Sequence, residues 1–191
     1  SKGYGHADVA KGKAVTGNSI FNIASCTKAF GAASIGLLAQ EGKLSWNDKV
    51  IDHLPEFQLS DPWITREMTL RDMLSHRTSL GTFYGDLLWY GTKRTEEDIL
   101  NRMQHLPITK EFRSQFGYQN NMYMMAGMIT EKVSGQPWDQ FVTERFLKPL
   151  SMNQTRTGTS GITSGQELAL PYIDGTLYPG THMHPNPAAS F

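Results

Sequence analysis

The clearest hydrophobic rhythm in the chain begins at Ser25. Phe30, Ala33, Ser34, Leu37 and Leu38 fall at i, i+3, i+4, i+7 and i+8, and Gly42 supplies a stop. That spacing predicts one buried helix of about four turns. Ahead of it, Ser19 to Ala24 reads as a short extended lead-in and Gly3 to Ala10 as the end of a strand. Three capping-box patterns follow, Ser45 with Asp48, Thr69 with Asp72 and Thr95 with Asp98, each predicting a short helix. These end before Pro55, near Ser75 and at Pro107. A longer helix is predicted from Asn121 to Ser134, burying Met125, Met128, Ile129 and Val133 and stopping at Gly135. Pro137 suits the first position of the next, which buries Trp138, Phe141, Val142 and Phe146 and ends at Pro149. From Ser151 onward the chain is rich in Gly, Thr, Ser and Pro without a period, predicting loop with one or two short strands. No repeat, low-complexity tract or dividing linker interrupts this helical middle.

Composition narrows the function classes. The 191 residues carry 18 Lys+Arg against 18 Asp+Glu, a net charge of zero. With no basic run, the clustered cations that phosphate binding needs are missing, which argues against a nucleic-acid partner and for a small-molecule one. A single cysteine, Cys26, excludes an internal disulfide and a Cys-based zinc site. The longest apolar stretch, Ala29 to Ala39, is shorter than the roughly 20 residues of a membrane span. Ser1 opens no basic-then-apolar leader, and localisation stays open.

Candidate chemistry concentrates at Ser25-Cys26-Thr27-Lys28, where the lead-in meets the long helix. Residues three apart share a helix face, so the Lys28 amine would lie beside the Ser25 hydroxyl. A serine becomes nucleophilic when a base takes its proton, and burial lowers a lysine pKa enough for that task. The alternative is an N-cap serine and a surface lysine. A second candidate is Tyr118-Gln119-Asn120, where an extended backbone would put the phenol and the amide on one side; a plain turn into the next helix explains it equally. Phe83 to Tyr90 either roofs a cleft or packs as a structural loop, and Met122 to Met128 reads as core filling. His182-Met183-His184 has no further metal ligand in evidence, and Asn153-Gln154-Thr155 is a common chance triplet. His76 lacks an identifiable acid partner, and no G-x-S-x-G string is present, so neither a Ser-His-Asp triad nor an α/β-hydrolase elbow is proposed.

Taken in order, Phe21-Asn-Ile-Ala-Ser25-Cys-Thr-Lys28-Ala-Phe30, Met68-Thr-Leu-Arg-Asp-Met-Leu-Ser-His-Arg-Thr78, Phe116-Gly-Tyr118-Gln-Asn120, Val133-Ser-Gly135 and Pro149-Leu-Ser-Met152 resemble the serine β-lactamase and penicillin-binding-protein superfamily. The likeness is to the branch of class C β-lactamases, family VIII carboxylesterases and D-amino-acid-specific peptidases, and it runs from about Gly3 to about Pro179. The resemblance implies a fold of mixed α/β class (α+β type): an antiparallel sheet flanked by helices, joined to a helical domain, with the cleft between. It implies Ser25 as the acylated nucleophile, Lys28 as its base, Tyr118 as proton shuttle and Asn120 as a contact to substrate and Lys28. It implies acyl-enzyme hydrolysis of a small-molecule ester, amide or β-lactam without cofactor or metal, esterase first, β-lactamase second and peptidase third. A catalytically silent, penicillin-binding-like ligand-recognition protein is the competing reading. The oxyanion donors would be the Ser25 N–H and one N–H from a strand bearing Lys-Thr-Gly or His-x-Gly. No such string stands where expected; Arg156-Thr157-Gly158 follows Met152 too closely and is set aside. Ser79 and Ser151 replace glycines of the pattern, with consequences for loop backbone angles. Against that family, 1–191 reads as one domain incomplete at both ends, mostly the helical part and the nucleophile helix.

Overall fold

The computed structural model describes residues 2–158 and 167–178. The chain opens with a ribbon of β1 (His6–Asp8) and β2 (Lys13–Ala14), antiparallel, with His6 opposite Ala14 and Asp8 opposite Lys13. The lead-in is extended as expected: Ile20 bridges Leu168 in parallel, donating its N–H to Glu167 O at 2.7 Å and accepting from Ala169 N–H at 2.8 Å. A 3-10 turn over Ala24–Thr27 then delivers the chain into α1 (Lys28–Gln40).

Helix α1 buries Lys28, Gly31, Ser34, Ile35 and Leu38. The expected stripe was offset, since Ala33 is exposed and Phe30 and Leu37 are only half-buried. The cause is that two elements cover α1. One face lies against α6 (Asn120–Ser134), where Tyr123 would be 3.5 Å from a Cβ on Gly31. Another meets residues 138–147, where Phe30 packs edge-on against Phe146 at 6.3 Å. Along the chain between α1 and α6 come α2 (Val50–His53), α3 (Pro62–Glu67), α4 (Leu70–Leu74) and α5 (Glu96–Arg102). Helix α7 (Trp138–Val142) runs on as a wider π turn over Thr143–Leu147. Two further short strands, β3 (Tyr172–Ile173) and β4 (Thr176–Leu177), form an antiparallel hairpin. One core unites Ile35 and Leu38 with Leu70, Met73, Met122, Met125, Ile129 and Phe141. This is the expected α+β architecture, a helical cluster with part of an antiparallel sheet.

Local chemistry explains the element starts. Thr69 Oγ1 accepts the Asp72 N–H at 3.2 Å while Asp72 Oδ2 accepts the Thr69 N–H at 3.1 Å, a closed capping box for α4. Thr95 caps α5 through the Asp98 N–H at 3.1 Å. Ser45 and Asp48 behave differently: Asp48 accepts the Ser45 N–H at 2.8 Å, but the Ser45 hydroxyl takes the Asn47 N–H at 3.3 Å while the Asp48 N–H donates to Ser45 O at 3.0 Å, which closes a turn. The helix starts later, at Val50, with Asp52 accepting the Lys49 N–H at 3.1 Å. Helix α3 had no expectation, although Asp61-Pro62 is a cap followed by proline; Asp61 accepts from Trp63 and Ile64 N–H at 2.8 and 2.9 Å. Met128 and Val133, expected in the core, are half-buried, since the first turns of α6 carry most of its burial, from Asn120 to Gly127.

Asp72 does more than cap. Its buried carboxylate accepts from Arg77 at 3.0 Å and from Arg113 at 2.9 and 3.0 Å, tying the end of α4 to a loop 41 residues away. Burial pushes this carboxyl up, but the hydrogen bonds from Arg113 and Thr69 outweigh it and hold it below the usual range. Its stabilising effect is present above the ordinary carboxylate pKa and fades as pH falls below it. Because the arginines rehydrate when freed, Asp72→Ala should cost about 2 kcal/mol, read from the urea midpoint. Ser79 and Ser151, the replaced glycines, both sit in the left-handed region at φ 71° and 55°. The buried Ser79 hydroxyl has no hydrogen-bond partner among the described residues. Ser79→Gly should therefore stabilise the protein by about 1 kcal/mol, raising the same midpoint.

Candidate active site

Three segments converge on Ser25. The first is its own 3-10 turn, entered through Ala24 at φ 45°, with Asn22 Oδ1 accepting the Ala24 N–H at 2.7 Å. A turn start leaves its first N–H groups without internal partners, which places the Ser25 N–H at an exposed helix beginning. The second is the first turn of α1, which carries Lys28 on the buried face. The third is the extended run into α6. It is threaded so closely against residues 80–83 that a Cβ on Gly117 would lie 2.0 Å from Leu80 O, and Phe83 N–H donates to Tyr118 O at 2.9 Å.

The resulting contacts are specific. Tyr118 OH donates to Ser25 Oγ at 2.7 Å, and Lys28 Nζ lies 3.3 Å from the same oxygen. Lys28 Nζ donates to Asn120 Oδ1 at 2.6 Å, and Asn120 Nδ2 donates to Asp86 Oδ2 at 2.8 Å. The Lys28 amine also stands over the rings of Tyr118 and Tyr123, at 5.1 and 5.4 Å. All four candidates named from the sequence, Ser25, Lys28, Tyr118 and Asn120, are thus within one hydrogen-bonded group. Asn120 arrives there as the first residue of α6, not from an extended backbone.

Electrostatics set the protonation states. Burial lowers the Lys28 amine from 10.5 to about 8, against the raising effect of the Asp86 charge. Burial raises the Asp86 carboxyl, opposed by hydrogen bonds from Asn120 and Trp89 and by the charge of Lys28. The lysine is therefore poised to exist as amine or ammonium near neutral pH, whereas an exposed lysine would be ammonium throughout.

Two residues escaped the sequence reading. Asp86 follows Gly85 at φ 86° in the aromatic stretch 83–90 and carries no motif that would reveal it. His76 has no carboxylate partner among the described residues; its Nδ1 accepts the Gln119 N–H at 3.0 Å. The stretch 83–90 divides between its two readings: Trp89 is buried, whereas Phe83 is exposed and meets the Tyr118 ring edge-on at 5.4 Å. Met122, Met124 and Met125 are fully buried, as core filling requires. Arg156-Thr157-Gly158 borders a separate cavity of about 300 Å³ with Phe21, Phe30 and Trp138, and none of the four candidates lines it. Among the described residues no group of His, Cys, Asp and Glu is arranged to hold a metal. No helix there is long and apolar enough to cross a membrane. His182 and His184 lie outside the described residues.

Comparison with known proteins is consistent with this geometry. The family model described as Beta-lactamase matches residues 1–183. The unguisins hydrolase ungD' of Aspergillus campestris is 32% identical over 190 residues, covering 94% of this chain and 35% of that protein. Among solved structures, the octameric penicillin-binding protein homologue from Pyrococcus abyssi superposes with a TM-score of 0.80 at 26% identity, covering 99% of this chain and 45% of that one. The D-amino acid amidase from Ochrobactrum anthropi SV3, complexed with L-phenylalanine amide, gives 0.79 at 29% identity, covering 97% and 55%. The chain thus spans about a third of the curated relative's length and about half that of the solved ones.

Carbon-13 labelling of the lysine side chains should show Lys28 titrating near 8. Removing the opposing charge by Asp86→Asn should move that titration lower still.

Proposed function

Because the chain belongs to the beta-lactamase family, we propose that it acts as a serine hydrolase, cleaving a small-molecule ester or amide through an acyl-enzyme on Ser25. In this reading residues 1–191 are part of one β-lactamase-like domain, supplying the nucleophile helix and the helical wall of the cleft. The observation that carries it is the meeting of Lys28 Nζ and Tyr118 OH on one serine oxygen, at 3.3 and 2.7 Å. Hydrolysis in general is supported by the unguisins hydrolase and the D-amino acid amidase among the relatives.

The steps follow from the contacts. Lys28, as free amine, takes the Ser25 proton; Ser25 Oγ attacks the carbonyl carbon, and the carbonyl oxygen becomes an oxyanion. Tyr118 relays a proton to the leaving alkoxide or amine, the C–O or C–N bond breaks, and the acyl group stays on Ser25. Water then attacks, giving its proton back through the same phenol and amine, and Ser25 is restored as the acid leaves. Asn120 keeps Lys28 directed at Ser25, and Asp86 in turn fixes the Asn120 amide. The Ser25 N–H is one oxyanion donor. A second donor of this kind is worth about a hundred- to a thousand-fold in turnover.

Substrate preference is drawn from the same family: esters first, β-lactams and D-configured amides after. Ser25→Ala should abolish hydrolysis of a chromogenic ester and of a chromogenic cephalosporin alike. Tyr118→Phe should retain folding and lower kcat by about a hundred-fold. Since the amine is the active form, kcat/KM should rise about tenfold from pH 7 to pH 9 and level off beyond Lys28's value of about 8. Turnover by Ser25→Ala equal to the parent's would refute the assignment. A stable Ser25 adduct without turnover would favour the competing reading of a catalytically silent, penicillin-binding-like ligand-recognition protein.

A further inference from the structure

The serine hydrolase reading leaves open what keeps the Tyr118 phenol aimed at Ser25, since the tyrosine lies on a loop and not inside a helix. We propose that His76 is the positioning residue: its carbonyl and Nδ1 clamp the backbone on either side of Tyr118, and its ring backs the phenol. The clamp is visible as three contacts. His76 O accepts the Gly117 N–H at 2.9 Å, and Nδ1 accepts the Gln119 N–H at 3.0 Å. Between them the imidazole stacks on the Tyr118 ring, 4.6 Å between centroids and 27° between planes.

His76 is itself immobilised. It is 8% exposed and lies two residues past α4, where Arg77 N–H donates to Asp72 O at 3.1 Å and the Arg77 side chain to Asp72 Oδ1 at 3.0 Å. Its backbone takes φ 59°, a left-handed conformation that a non-glycine residue adopts at a cost. A residue held this way transmits the rigidity of the helical core to the phenol.

The clamp works in one protonation state. Nδ1 accepts an N–H, so the imidazole must be neutral with its proton on Nε2. The groups facing it are Lys28 of α1, Tyr123 of α6 and the Tyr118 segment, with Asp72 and Arg77 on its own element. Burial, then the Lys28 charge, lower the imidazole from 6.5 to about 4, so the accepting form persists across the neutral range. Protonation would set N–H against N–H and release Gln119. This gives an acid limb near pH 4, separate from the Lys28 limb near 8.

The inference rests on the proposed hydrolase function, so its test has one arm that needs no turnover. In nitrogen-15 spectra at pH 7, Nδ1 of His76 should be unprotonated and the Gln119 amide slow to exchange, with both signatures ending on acidification near 4. A protonated Nδ1 at pH 7, or a Gln119 amide exchanging at the rate of a free loop, would overturn the clamp even in an inactive protein. The kinetic arm compares two variants. His76→Phe keeps a ring but no acceptor, while His76→Asn puts an amide oxygen near the Nδ1 position and tolerates positive φ. His76→Phe should lower kcat about ten- to a hundred-fold with KM nearly unchanged, and His76→Asn should restore most of it. Equal losses of folded protein in both variants, with parental kcat in what remains folded, would reduce His76 to packing. Loss of the clamp signatures while Ser25→Ala still abolishes turnover would sink this inference alone. Turnover surviving Ser25→Ala, with the signatures intact, would sink the hydrolase reading alone.

Discussion

A buried amine must either lose its proton or find a partner for its charge, and the geometry around Lys28 does a measured amount of each. Burial favours the neutral form, while the Asn120 oxygen, the faces of Tyr118 and Tyr123 and the more distant Asp86 carboxylate support the charged one. With Asp86 in direct contact, a tight ion pair would hold the amine fully protonated. Interposing Asn120 transmits the carboxylate's orientation while weakening its field, and the pKa settles at about 8. In the proposed chemistry, that balance is what makes a lysine usable as a base near neutrality.

The rest of the fold keeps this balance in place. Helix α1 is sheathed by α6 on one side and by the α7 region on the other, so the face carrying Lys28 cannot rotate toward solvent. The start of α6 supplies Asn120, and the extended run before it supplies Tyr118, held against residues 80–83 by a glycine with no room for a side chain. Asp72 links α4 to the Arg113 loop, and the same stretch of chain reaches the site at His76. Structural and chemical demands therefore meet within a few residues.

Much of this was legible from sequence because it is local. Capping boxes at Thr69 and Thr95, the Met-rich helix and the Ser25 to Lys28 spacing depend on neighbours one to four positions apart. The phase of α1 was not legible, because it is set by two partners distant in sequence that bury Ile35 and leave Ala33 outside. Asp86 and His76 were missed for a related reason. One acts through an asparagine 34 positions away and the other through a backbone N–H 43 positions away, and no short pattern records such pairings. In sequence a histidine reads as a possible acid–base residue, whereas the visible contacts of His76 are those of an acceptor and a stacking surface.

In the proposed chemistry the buried amine and the serine hydroxyl form one reacting unit. The most direct measurement is intact-mass analysis with peptide mapping after exposure to a fluorophosphonate, comparing the parent with Lys28→Met. A single adduct on Ser25 is expected in the parent, with acylation slowed by orders of magnitude in the variant. An adduct on another residue, or Ser25 labelled at the parental rate without Lys28, would contradict this chemistry.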